Sequence, residues 1–91
     1  MTVLGHSPRP TWVPRLQRRH EIVTTGGMDG VLRVGAALRA CGFPVRDFAV
    51  DVRDGVPYSC VTCTVSVTND ESATFTERMG ALPTVVSVAP C

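Results

Sequence analysis

Four cysteines, two histidines and eight carboxylates are the residues of this 91-residue chain that could carry chemistry, and their spacing decides which kind. Cys60 and Cys63 form a CxxC pair, an arrangement that activates a thiol or grips a soft metal when it opens a helix. Here it lies in a run from Tyr58 to Val67 in which Val61, Cys63, Val65 and Val67 alternate with Cys60, Thr62, Thr64 and Ser66. That period of two marks a strand, and residues three apart on a strand point to opposite faces, so the two thiols cannot share one ion. His6 and His20 both fall near the amino-terminal end, with no serine, cysteine or carboxylate spaced to form a nucleophile and base. Asp47, Asp51 and Asp54 surround a turn and alternate with Arg46 and Arg53, which reads as a solvated charged edge rather than a cation site. The chain is therefore expected to be non-catalytic, with no cofactor and no metal.

A second constellation is a contact surface rather than a reaction centre. From Gly27 to Phe43 the chain reads GMDGVLRVGAALRACGF, a glycine-bearing turn that opens a short amphipathic helix and closes on glycine and an aromatic. Backbone amides at a helix N-terminus suit a carboxylate, and a glycine lets a ligand approach the main chain. Although Gly26, Gly27 and Gly30 cluster, the chain contains no lysine, so a Walker-type phosphate loop is excluded.

The elements that would hold this loop follow from periodicity. β-Branched Ile22, Val23, Thr24 and Thr25 argue for a strand from about Arg18 to Thr25, ended by Gly26 and Gly27. Asp29 stands where an N-cap belongs. Val31, Val34, Leu38 and Cys41 then draw one apolar stripe, Gly42 stops the helix, and Pro44 prevents its resumption. Val45 to Arg53 is a strand with Phe48, Val50 and Val52 on one face, turned at Asp54-Gly55 into the Tyr58 to Val67 strand. Thr68 with Glu71 forms a capping box for a second helix striped by Ser72, Phe75, Met79 and Leu82, and Val85 to Val88 is a last strand. The order βαββαβ predicts an α+β, ferredoxin-like sandwich of four antiparallel strands backed by two helices. Its open sheet face should carry threonine and serine, which favours pairing through strand edges or helices.

Composition adds limits. A 44% hydrophobic chain of this length fits one compact domain, small enough to gain from a partner surface. Residues 1 to 20 hold Arg9, Arg15, Arg18 and Arg19 with no acid, while the remainder is net acidic. Residues 1–17, with Pro8, Pro10 and Pro14, are expected to form a flexible basic leader, and Trp12 to fold back from it. Residues 18–91 form the domain. No apolar run spans a bilayer and no secretory signal is visible, so the expectation is a cytoplasmic chain with reduced cysteines and no membrane partner. RNA-binding sheets of this fold stack bases on aromatics. The first strand here has none and the third only Tyr58 at its start, so no nucleic acid is expected.

Over roughly residues 20 to 89, the element order together with GMDGVLRV and ALPTVVSV resembles ACT domains, most closely the short small regulatory subunits of acetolactate synthase (acetohydroxyacid synthase). The helix start Gly30-Val31-Leu32 and finish Arg39-Ala40-Cys41-Gly42-Phe43 carry the likeness. The resemblance implies a side-by-side homodimer that binds and activates the large catalytic subunit in branched-chain amino acid biosynthesis. It also implies a branched-chain amino acid held between the first loop of one copy and the start of the second strand of the other. On this chain those positions are Gly27, Met28, Asp29, Gly30 and Val31 in the loop and Val45 at the strand. Amino-acid-binding members carry asparagine where this chain has Gly27 and Pro44. The missing polar pair favours a member that activates its partner without strong feedback. The alternative is a freestanding amino-acid-sensing dimer. On either reading, Gly30→Glu is expected to weaken pairing or activation while the fold persists.

Overall fold

A computed structural model describes residues 14–91. The elements are β1 (Leu16–Thr24), α1 (Gly27–Ala40), β2 (Val45–Asp51), β3 (Ser59–Val67), α2 (Asn69–Gly80) and β4 (Val85–Pro90). All strand pairs are antiparallel, in the spatial order β2-β3-β1-β4, and both helices back the sheet. This is the ferredoxin-like α+β fold. Among the described residues no helix is long and apolar enough to cross a membrane.

The core forms where the predicted stripes meet. Val31, Val34, Leu38 and Cys41 of the first helical stripe are buried against Ile22 of β1 and Val61, Cys63, Val65 and Val67 of β3, with Phe75 and Met79 of α2 closing the other side. Gly42, at φ 85, breaks α1 after Cys41 and turns Phe43 back onto the core, its ring centroid 6.5 Å from that of Phe75. The capping box is complete. Thr68 N–H donates to Glu71 Oε1 at 3.0 Å and Glu71 N–H donates to Thr68 Oγ1 at 3.2 Å, which satisfies two amides of the first turn of α2. At the hairpin, Gly55 takes φ 77 and Val56 N–H donates to the Arg53 carbonyl at 3.3 Å.

Three sequence expectations change. β1 begins at Leu16 rather than Arg18, so Leu16 and Gln17, assigned to the leader, belong to the sheet. Arg15 is tied to the body as well: its guanidinium reaches Glu71 Oε1 at 3.0 Å and the Ser66 carbonyl at 2.8 Å. Residues 1–13 of the leader, including His6 and Trp12, lie outside the described residues. β2 ends at Asp51 rather than Arg53, and it is irregular. Its register with β3 shifts between Arg46 and Ala49, where Asp47 adopts φ 54, a left-handed conformation that aspartate tolerates better than most residues.

Candidate functional site

The loop after β1 is anchored at its base. Thr24, fully buried, donates through Oγ1 to the Thr84 carbonyl at 3.1 Å, and its Oγ1 lies at hydrogen-bond distance, 2.9 Å, from Thr84 Oγ1. Thr25 N–H adds a 2.8 Å bond to the same carbonyl. This fixes the end of β1 to the turn before β4 and leaves Gly26 and Gly27 to redirect the chain. Both are left-handed, at φ 86 and φ 58, a conformation that costs a side-chain-bearing residue about 1–2 kcal/mol. Gly26, not Asp29, is the N-cap of α1, and no side chain caps this end. Asp29 stands in the first turn instead, where its charge still complements the helix dipole. The double glycine can reverse the chain within two residues, so the helix starts before the aspartate is reached.

The loop residues divide into two groups. Gly26, Gly27, Met28 and Asp29 are exposed, and nothing would crowd a side chain at Gly27. Gly30 and Val31 are buried. A Cβ on Gly30 would run into the Thr25 carbonyl oxygen and sit 2.8 Å from Thr24 Oγ1. The missing side chain at Gly30 therefore serves the seating of α1 on the end of β1, not the approach of a ligand. Gly30→Glu cannot leave the fold intact, and that expectation is corrected on steric grounds.

Val45 is half-buried at the other end of the sheet. It pairs with Val65, which pairs with Arg18, whereas the loop follows Thr24. Six residues of strand separate the two levels, about 20 Å. One copy thus does not bring Val45 together with Gly27, Met28 and Asp29. What Val45 does line is a shallow cleft of about 300 Å³ between α1 and β2, with Gly35, Leu38, Arg39 and Phe48. Phe48 lies beside the left-handed Asp47 and is 49% exposed, and Val50 and Val52 along the same edge are 39% and 40% exposed. Phe48, Gly35 and Arg39 were not read from sequence as site residues. The apolar alternation of Phe48, Val50 and Val52 is legible there, but that it stays exposed on an edge strand is not.

His20, expected near the amino-terminal end without a chemical partner, lies in the core. It pairs with Cys63 and Pro90 in the middle of β1, is 2% exposed, and its ring lies 4.9 Å from that of Phe75. Burial lowers its pKa from the ordinary 6.5, with the nearby Arg18 charge adding to the same effect against a backbone hydrogen bond that opposes it. Among the described residues its Nδ1 has no hydrogen-bond partner. The cysteines follow the strand argument: Cys63 is fully buried on the helix side, whereas Cys60, opposite Val23, lies on the other face. Burial pushes the Cys63 thiol up to about 11, so it stays protonated and unreactive.

Compared with known proteins, the chain matches no family model and no curated protein.

Proposed function

We propose that this chain is a non-catalytic, cytoplasmic regulatory subunit that forms homodimers and binds and activates the large catalytic subunit of acetolactate synthase. The observation that carries the reading is the edge of the sheet. Among the described residues no strand pairs with the outer side of β2, and Phe48 and Val50 on that strand and Val52 just beyond it are exposed. An apolar edge strand left in water is prone to indiscriminate pairing, and a partner strand satisfies both its backbone groups and its side chains. The ACT resemblance implies side-by-side pairing; if the pairing uses this edge, Val45 of one copy stands near the other copy.

The test is to mix the chain with its cognate large subunit and measure co-elution. A stable complex supports the assignment, and separate elution at micromolar concentrations of both removes it.

One observation favours the second reading, a freestanding amino-acid-sensing dimer. The N-terminus of α1 is exposed at Gly27, Met28 and Asp29 and has no side-chain cap, which suits a ligand carboxylate. Against it stand Gly27 and Pro44, which supply no polar side chain for the ligand's other end. Calorimetry with the branched-chain amino acids separates the two readings. Heat of binding without a large subunit favours the sensor, and silence from an intact dimer favours the activator.

A further inference from the structure

The face of the sheet turned away from the helices carries charges in a self-complementary order. Strand register places Arg46, Thr64 and Arg19 side by side in one row, continued by Cys91, whose N–H donates to the Arg19 carbonyl at 3.0 Å. The next row along this face holds Ala49, Thr62, Glu21 and Ala89. The first row is basic. The second has one carboxylate, on the central strand β1, among small side chains. Arg19 and Glu21 are successive residues on this face of β1, about 7 Å apart, and neither makes an ion pair among the described residues. Thr64, between the two arginines, is only 8% exposed although no helix among the described residues covers this face.

We infer that this open face pairs with the same face of a second copy, with Arg19 of each chain on Glu21 of the other. A two-fold axis lying between the sheets, across the strands at the level of His20, sets β1 antiparallel to its counterpart. The basic row of each chain then stands over the Ala49, Thr62, Glu21 and Ala89 row of the other. Such an interface is isologous, so each contact occurs twice. The small side chains leave room for the guanidiniums of Arg19 and Arg46 and allow the sheets to approach to the usual spacing of about 10 Å. No large hydrophobe from this face is needed: its charges and small polar side chains make the contact, in place of the strand edges or helices expected from sequence. The inference rests on sheet register and charge alone. It is independent of the β2 edge, which lies on a different side of the molecule.

Sedimentation equilibrium on the full chain tests it, with circular dichroism to verify the fold. Arg19→Glu and Glu21→Arg are both expected to weaken self-association roughly tenfold or more, since each places like charges opposite one another twice. An equimolar mixture of the two variants should regain association, because every contact across the two-fold axis is then between opposite charges. The double variant R19E/E21R should regain it alone. Phe48→Asp, which alters only the β2 edge, should leave this charge dependence in place and so separates the two surfaces. Single variants that associate as wild type does would overturn the inference, as would a mixture that fails to recover. Loss of large-subunit binding with unchanged self-association would also overturn it, by assigning the face to the catalytic partner.

Discussion

The Cα of Gly30 rests against the main chain of Thr25 with no room for a side chain between them. This contact seats the first turn of α1 on the end of β1. Gly30→Ala must therefore push the helix away from the sheet, and overpacking of this kind costs about 1–3 kcal/mol. Urea denaturation should show a loss in that range. An unchanged midpoint would mean that the helix start shifts freely.

Gly35 is the opposite case. It lies within α1 at an ordinary helical φ, and a Cβ there meets nothing within 4 Å. Gly35→Ala should stabilise the fold by roughly 0.5–1 kcal/mol by restricting the unfolded chain. The same variant narrows the cleft beside Phe48, so a stabilised protein with weaker partner binding would mark that cleft as a contact surface.

His20 makes stability depend on pH. Its folded pKa lies below its ordinary 6.5, so the unfolded chain binds the proton more readily. Stability should therefore be full above about pH 6.5 and decline as pH falls through the folded pKa. Thermal unfolding between pH 7.5 and 5.5 should show the decline in the wild type, and His20→Phe should flatten it. A slope that survives the substitution would assign the effect to another group.

Thiol labelling separates the cysteines by location. Cys91 is exposed and Cys60 partly so, whereas Cys41 and Cys63 are buried. Alkylation of the native protein near pH 8, read by mass spectrometry, should modify Cys91 first and leave Cys41 and Cys63 untouched until denaturant is added. Early modification of Cys63 would contradict the sheet register.

The sequence made the large periodicities legible. The Val31, Val34, Leu38 and Cys41 stripe, the Thr68 and Glu71 capping box and the β3 alternation are local patterns that report directly on which side of an element is buried, and all three stand in the structure. What escaped depends on contacts between distant segments. Gly30 illustrates the difficulty, because a glycine required by Thr25 and one required by a ligand look identical in sequence. His20 read only as a residue near the amino-terminal end because its burial depends on α2, more than fifty residues away along the chain. Arg15 read likewise until its contacts with Glu71 and Ser66 placed it on the body. The bulge at Asp47 and the exposure it gives Phe48 arise from pairing with β3, so nothing in Arg46-Asp47-Phe48 announces them.

The most direct test of action by contact is a titration of this chain into the large acetolactate synthase subunit while acetolactate formation is followed, with wild type and Phe48→Asp in parallel. The half-exposed position of Phe48 lets the variant keep its fold. The wild type should raise activity to a plateau, and the variant should need at least about tenfold more protein to do so. Activity that does not respond to the wild type, or responds equally to both, would contradict action by contact.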